Sequence, residues 1–202
     1  MTSAVPSRRY AKGDAKRAEI LSAALAVIGE RGYRHSSLQE IADAVGLTKA
    51  GVLHYFDSRE DLLVEVLRER DDADEARLLP DDGDIIDLLP RALRHNAEVP
   101  GLVQLYSRLV VESEAAEHPG HAYIDDRYAQ IETTLGEAAR ARQEAGEIRI
   151  DLDPAMIARI LTAVSDGIQL QWLHDPAIDM SGTFETVLGL LTPPPSGPTA
   201  DS

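Results

Sequence analysis

The sequence predicts an all-α protein. Apolar residues recur at helical spacing along most of the 202 residues, and no useful length of chain shows the alternation that marks a strand. Glycine and proline divide this pattern into about nine helices. Because three helices fall within about 45 residues and further helices follow, we expect a three-helix N-terminal domain with a larger helical domain after it.

Polar and basic residues open the chain. Residues 1–13 are predicted to form a flexible basic arm, because their side chains are mostly small, polar or positively charged. From Asp14 onwards the apolar residues fall on one helical face until Gly32, a residue suited to end a helix. We therefore expect the first helix between these two residues.

The next two helices are joined by a tight glycine turn. Ser37 and Glu40 have the spacing of a capping box that starts a helix, and Gly46 ends that helix. Thr48 is placed to cap a further helix, Thr48–Phe56. This arrangement predicts a helix-turn-helix motif within residues 14–58, although an αα-hairpin without a DNA-binding role uses the same turn.

Longer helices are predicted over residues 59–192. Their limits are set by proline and glycine, at Pro80, Gly83, Pro100-Gly101, Pro119-Gly120 and Gly146. The helix that follows Asp153 is apolar on two faces, so we expect one face to pack on its own chain and the other on a second subunit. The proline-rich residues 193–202 are predicted to be a disordered tail.

The composition excludes several classes of protein. The chain has no cysteine, so it has no disulfide, no thiolate metal site and no thiol nucleophile. No apolar run approaches the roughly 18 residues of a membrane span, and the start of the chain lacks the apolar core of a signal peptide. We therefore expect a soluble, cytoplasmic protein that has no membrane partner.

The charge distribution points to a local anion-binding segment. The formal net charge is −15, which by itself disfavours nucleic acid as a partner. Residues 1–56, however, carry eight basic against five acidic residues, a net +3, and include all three lysines of the chain. The basic residues near the start are candidates to reach phosphates: Arg8, Arg9, Lys12, Lys16 and Arg17. Alternatively, this segment is a solvated basic tail on an acidic domain.

Residues 32–63 resemble the TetR family of bacterial transcription regulators. The resemblance is carried by Gly32-Tyr33, Ser36-Ser37, Ile41-Ala42, Gly46-Leu47-Thr48-Lys49, Phe56, Arg59-Glu60 and Leu62-Leu63. It implies a homodimer whose first three helices bind double-stranded operator DNA and whose larger helical domain binds a small effector and forms the dimer. Most members are repressors that the effector releases from DNA. The C-terminal sequence looks more loosely like the betaine-responsive subgroup.

The resemblance also implies which residues contact DNA. They lie in the second helix, the recognition helix Thr48–Phe56 and the start of the fourth helix: Ser37, Gln39, Thr48, Lys49, Ala50, Gly51, His54, Tyr55 and Arg59. Contacts to phosphate fix the position of the protein, and donors in the major groove recognise the bases. Leu53 departs from the family, because many members have a tyrosine there. A common phosphate contact is then missing, or is made by His54 or Tyr55.

Two further sets of residues are candidates for the effector site and the dimer interface. Aromatic and polar side chains that suit a cavity, including one for a quaternary ammonium ligand, are Tyr106, Tyr123, Tyr128, Gln169 and Trp172. The alternative is that these are ordinary core residues. The dimer interface is predicted to include Ile160, Val164, Gly167, Phe184, Leu188 and Leu191.

The competing hypothesis is an all-α interaction protein, or a helical-bundle enzyme, whose helix-turn-helix is only structural. The bundle enzymes that hold two metal ions need Glu-x-x-His pairs, and the chain has none. His118 and His121 are separated by Pro119-Gly120, so they do not share a helical face. The chain also lacks a glycine-rich phosphate loop and a serine elbow. We therefore predict no metal, no cofactor and no enzymatic activity.

Overall fold

The computed structural model describes residues 8–79 and 83–193. Within them lie nine α-helices, one 3-10 helix and no strand, which confirms the all-α prediction. The α-helices are α1 (Arg8–Arg31), α2 (Leu38–Ala44), α3 (Lys49–Val52), α4 (Arg59–Leu78), α5 (Ile85–Asn96), α6 (Pro100–Glu112), α7 (His121–Glu144), α8 (Pro154–His174) and α9 (Met180–Leu191), and the 3-10 helix η1 is Tyr33–His35. None of these helices has the length and apolarity that crossing a membrane requires.

The predicted start and end of α2 are confirmed in atomic detail. The backbone N–H of Glu40 donates to Ser37 Oγ at 3.3 Å, and the N–H of Ser37 donates to Glu40 Oε2 at 2.7 Å, which completes the capping box. Gly46 has a φ of 66°, a left-handed conformation that favours glycine. The N–H of Leu47 then donates to the carbonyl of Ala42 at 2.8 Å, so the chain turns sharply towards α3.

Two predicted boundaries near the ends of helices were wrong. α1 begins at Arg8, so residues 8–13 of the predicted arm are helical, whereas residues 1–7 lie outside the described residues. α4 continues to Leu78 through an acidic stretch that the sequence analysis interpreted as a connection. Its later carboxylates are partly offset by basic neighbours one turn away, as in the 3.6 Å ion pair of Asp74 with Arg77. The predicted tail is described only at its first residue.

The described residues divide into two units. The first contains residues 8–73 and 99–123, so it includes most of α4 and all of α6 in addition to the predicted helix-turn-helix segment. Its core is formed by apolar side chains with at most 2% exposure: Ile20, Ala24, Ile28, Ile41, Ala42, Val52, Phe56, Leu62, Val66, Leu67, Val103 and Leu105. These residues come from α1, α2, α3, α4, α6 and the turn after α3, and burying them holds α2 against α1 and α3 against α2.

The second unit contains residues 74–79, 83–98 and 124–193. α5, α8 and α9 pack on one another, and the core includes Ile86, Leu93, Leu135, Ala139, Ile157, Leu161 and Phe184. Arg142 joins α7 to the start of α5 within this unit. Its guanidinium donates to Asp84 at 2.8 Å and lies 2.7 Å from Asp87. Asp84 is also the N-cap of α5, so one carboxylate holds both a helix end and an arginine.

Candidate functional site

α3 is a single helical turn. Thr48 caps it, because its side chain accepts a hydrogen bond of 3.1 Å from the N–H of Gly51. The predicted helix Thr48–Phe56 was therefore wrong beyond Val52, after which the N–H of Tyr55 donates to the carbonyl of Val52 in a turn. Phe56 is buried at 2% exposure, and the chain must leave the helix here to place its ring in the core and begin α4.

α3 and the turn after it expose a compact set of side chains. Val52 is buried, whereas Lys49, Ala50 and His54 are exposed and Gly51 is half-buried. Lys49 makes no ion pair with any described side chain, so its ammonium is available to an anion. The ring of His54 meets the ring of Tyr55 edge-on, with centroids 5.5 Å apart, which orients both rings beside the turn.

The start of α2 presents backbone donors and one carboxylate. Ser37 and Gln39 are both exposed, as a DNA contact requires, but the amide of Gln39 already donates to Asp43 Oδ1 at 2.6 Å. The N–H and hydroxyl of Ser37, with Arg31 at 3.6 Å, hold the pKa of Glu40 below its ordinary value. The carboxylate thus stays charged and keeps the helix end capped at neutral pH.

Arg59 begins α4 and is oriented by an aromatic ring. Its guanidinium lies over the ring of Tyr33 at 5.5 Å, and Arg108 of α6 lies over the same ring at 5.2 Å. Glu60 lies 3.8 Å from Arg59. Tyr33 was predicted only as part of the resemblance and Arg108 was not predicted, since no local spacing links two residues so far apart in the chain.

Two of the basic residues proposed to reach phosphates have structural contacts instead. Lys16 Nζ donates to the carbonyl of Val45 at 2.9 Å, which ties α1 to the end of α2. Arg17 donates to Glu65 at 2.6 Å, and its guanidinium lies 4.8 Å from the ring centroid of Phe56. These cations hold the helices of the first unit together. Of the remaining candidates, no side chain of residues 8–12 is among those described.

The five candidates for an effector site fall in different units. Tyr106 and Tyr123 belong to the first unit, where both are buried. The hydroxyl of Tyr123 donates to Asp71 at 2.8 Å, and Arg68 lies over its ring at 4.8 Å. One face of this ring is therefore occupied by a protein cation, which argues for the structural alternative at Tyr123.

Tyr128, Gln169 and Trp172 belong to the second unit. The hydroxyl of Tyr128 donates to Asp166 at 2.7 Å, and buried Gln169 accepts a 2.7 Å hydrogen bond from Asn96. Trp172 lines a cleft of about 230 Å³, to which Tyr128 and Gln169 do not contribute. The other residues that line it are Leu93, Arg94, Ala97, Pro176, Ile178, Asp179, Met180, Ser181, Gly182 and Glu185.

The residues predicted for a dimer interface separate into two groups. Phe184 and Leu191 of α9 are buried in the core of their own chain, at 0% and 6% exposure, so naming them as interface residues was wrong. Val164, Gly167 and Leu188 are half-buried, and Ile160 is exposed. The second apolar face of α8 is also exposed at Met156, Ala163 and Leu170.

Comparison with known proteins establishes what this arrangement is. The family model described as "Bacterial regulatory proteins, tetR family" matches residues 20–66, which span the capped helices α2 and α3. The HTH-type transcriptional repressor KstR2 of Mycobacterium tuberculosis is 27% identical over 157 residues, covering 73% of this chain and 76% of the relative. Residues 20–66 thus match the N-terminal segment of the TetR family, and most of the chain is similar to a transcriptional repressor. The relatives that it matches are transcriptional regulators rather than enzymes.

Two other similarities show which parts of the chain resemble known regulators. The HTH-type transcriptional regulator RutR of Escherichia coli is 42% identical over 55 residues, which cover 27% of this chain and 26% of RutR. A Saccharomonospora viridis protein described as a transcriptional regulator was solved in complex with choline. It is 26% identical, with a TM-score of 0.66 over 87% of this chain and 94% of that one. The fold is thus shared along most of the chain.

Proposed function

We propose that this protein is a homodimeric, cytoplasmic repressor of the TetR family that a small-molecule effector releases from operator DNA. The observation that carries the DNA-binding part is the exposed surface of α3 and the following turn, where Lys49 has no ion-pair partner among the described side chains. The capped N-termini of α2 and α3 add backbone N–H groups beside it. KstR2 is a transcriptional repressor, which supports repression rather than activation for this chain.

The DNA contacts we propose are those of the predicted set: Ser37, Gln39, Thr48, Lys49, Ala50, Gly51, His54, Tyr55 and Arg59. Lys49 and His54 donate to base edges in the major groove, and Ala50 and Gly51 permit close approach. Tyr55 and Arg59 donate to phosphates, as do the first residues of α2. Two copies of this surface would enter successive major grooves about 34 Å apart on a pseudo-palindromic operator.

The exposed apolar face of α8 supports a homodimer. Met156, Ile160 and Leu170 are between 37% and 52% exposed, and Ala163 and Gly167 lie between them at helical spacing. A row of this kind leaves apolar surface in contact with water unless a second helix covers it. A second copy of α8 would cover it with the same residues, and Gly167 would let the two backbones approach closely.

For the effector, we propose a quaternary ammonium compound and name choline as the first probe. The similarity to the choline-bound protein of Saccharomonospora viridis extends over most of both chains. Aromatic rings and carboxylates attract such a cation, and the cleft in the second unit supplies both groups, since Trp172, Asp179 and Glu185 line it. The release of DNA requires a change in the DNA-binding helices, and α6 is placed to cause it because it packs directly on α1 and η1.

The test is selection of bound sequences from a random pool of duplex DNA, followed by affinity measurements with variants. The double variant Lys49→Ala, Tyr55→Phe should bind the selected site about 10- to 100-fold more weakly, since it loses a base and a phosphate contact in each subunit. Arg140→Ala is the matched control, because it removes one exposed positive charge from α7. It should leave the affinity unchanged.

Choline is then titrated into the complex with the selected DNA. A shift of about a hundredfold in DNA affinity corresponds to a difference of roughly 2.7 kcal/mol in effector binding between the two states. Equal DNA affinity of the double variant and the wild type would overturn the proposed contact surface. If choline leaves the DNA affinity unchanged at millimolar concentration, the proposed effector class is wrong, whereas the DNA result stands.

A further inference from the structure

We propose that Leu53 recognises the C5-methyl group of a thymine in the operator. This inference rests on the proposed DNA-binding surface of α3 and assigns one base preference within it. It also gives a function to the position at which this chain departs from the tyrosine of many family members. The chemistry at Leu53 then changes from a phosphate contact to an apolar contact with a base.

The exposure of Leu53 is the first observation. Its side chain is 42% exposed, and among the described side chains of residues 13–58 it is the one large apolar side chain on the surface. The neighbouring Val52 and Phe56 are buried in the core at 0% and 2% exposure, so the local structure does bury the apolar groups that it needs. Leu53 is thus not part of the core, and its exposed side chain can contact a partner.

The position of Leu53 within the surface is the second observation. Its N–H donates to the carbonyl of Lys49 at 3.0 Å, as in a helix, which places these two residues on the same face. Ala50 is one turn away on the adjoining side, and His54 follows in the chain; both are exposed. The apolar group therefore lies among the donors that are proposed to enter the major groove.

The chemistry of DNA decides what Leu53 would meet there. The sugar–phosphate backbone is charged and hydrated, so an isobutyl group placed against phosphates gains little. In the major groove, the thymine methyl is the apolar group among the base edges, and apolar side chains are its usual partners. A leucine next to a groove-facing lysine therefore favours a thymine within reach of the base that Lys49 contacts.

The experiment removes single methyl groups from the selected operator. Each thymine is replaced in turn by deoxyuridine, which keeps both Watson–Crick and major-groove polar groups and lacks only the methyl. At one position per half-site the wild type should lose affinity by about fourfold, the value expected for one buried methyl group. Leu53→Ala should bind thymine and deoxyuridine equally at that position, and Leu53→Met should retain the discrimination.

Selection with Leu53→Ala provides a second readout, in which thymine enrichment disappears at one position per half-site and persists elsewhere. Val111→Ala, an exposed apolar residue of α6, is the matched control and should discriminate as the wild type does. If Leu53→Ala weakens binding while the thymine-to-deoxyuridine ratio is unchanged at every position, Leu53 contacts the backbone and the inference is wrong. Failure of the wild type to select any sequence would instead contradict the proposed function.

Discussion

Gly101, at the start of α6, shows how one residue sets a contact between helices. A Cβ added there would collide with the carbonyl oxygen of Ile28 and lie 2.8 Å from Gly32 Cα. Both obstacles are backbone atoms at the end of α1, so neither can move aside as a side chain would. Glycine thus permits the close packing of α6 on the helix that supports α2.

We expect Gly101→Ala to lower the free energy of unfolding by about 2–3 kcal/mol, because overpacking at a backbone contact forces the two helices apart. The measurement is urea denaturation followed by circular dichroism. Gly29→Ala is the control: this glycine lies within α1 with open space around it, and alanine there should stabilise by about 0.5–1 kcal/mol. Equal stability of Gly101→Ala and the wild type would contradict the close contact.

Two opposing effects act on the pKa of the Asp87 carboxyl. Its burial would raise the pKa of the carboxyl, but the hydrogen bond and positive charge of Arg142 outweigh burial, and the pKa lies below the ordinary value. A lowered pKa in the folded state means that the carboxylate stabilises the fold above its ordinary pKa. This stabilisation is lost as the pH falls through the folded-state value.

Asp87→Asn should therefore destabilise the protein by about 1–2 kcal/mol at pH 7, since a charged hydrogen bond is replaced by a neutral one. As the pH falls through the lowered folded-state pKa, the carboxyl becomes protonated and the difference between variant and wild type should shrink. Thermal unfolding of both proteins at several pH values measures this difference in stability. A difference that stays constant from pH 7 to pH 3 would mean that the ion pair with Arg142 adds nothing to stability.

At the scale of the element, α3 depends on its cap. A helix of four residues has few internal hydrogen bonds, so the bond from the N–H of Gly51 to Thr48 Oγ1 is a large fraction of its stabilisation. Thr48→Ala should cost about 1 kcal/mol of stability and should also weaken DNA binding, because Lys49 loses its fixed position. Thr48→Ser keeps the hydroxyl and should keep both properties; if it behaves like alanine, the hydroxyl is not the cause.

Three of the helix starts and stops were predictable because they depend on neighbours in sequence. The capping box of Ser37 and Glu40, the left-handed Gly46 and the N-cap Asp153 are local signals, and the structure contains all three. The length of α3 was not predictable in this way. Helical spacing and the burial of Phe56 after a turn give the same apolar pattern, and only tertiary packing distinguishes them.

The predicted faces of α9 failed for a related physical reason. Val187, Leu188, Leu190 and Leu191 form an almost continuous apolar run, so spacing does not say which side turns inwards. The structure buries Leu191 and leaves Leu190 exposed. On α8 the sequence predicted two apolar faces without saying which one packs on its own chain, and the structure exposes Met156, Ile160 and Leu170. The aromatic candidates for an effector site depend on long-range contacts, which spacing does not report.

For the whole molecule, the net charge of −15 describes the average and not the surface that meets DNA. Lys16 and Arg17 near the N-terminus make internal contacts, so Lys49 and Arg59 remain as the described basic side chains that we propose to meet DNA. Specific binding must then rest on a few contacts per chain. A dimer doubles those contacts on one operator, so the apolar face of α8 bears directly on DNA affinity.

The double variant Ile160→Glu, Leu170→Glu tests this at the level of the assembly. If two copies of α8 meet, the carboxylates would be buried in an apolar interface, and we expect dimerisation to weaken at least about a hundredfold, or roughly 2.7 kcal/mol. Sedimentation equilibrium measures the dissociation constant. Ile150→Glu, which alters an exposed isoleucine between α7 and α8, is the control and should remain dimeric. The α8 variant should also lose affinity for the full operator while a single half-site binds as weakly as before. A dimer that survives both glutamates would show that the subunits meet elsewhere.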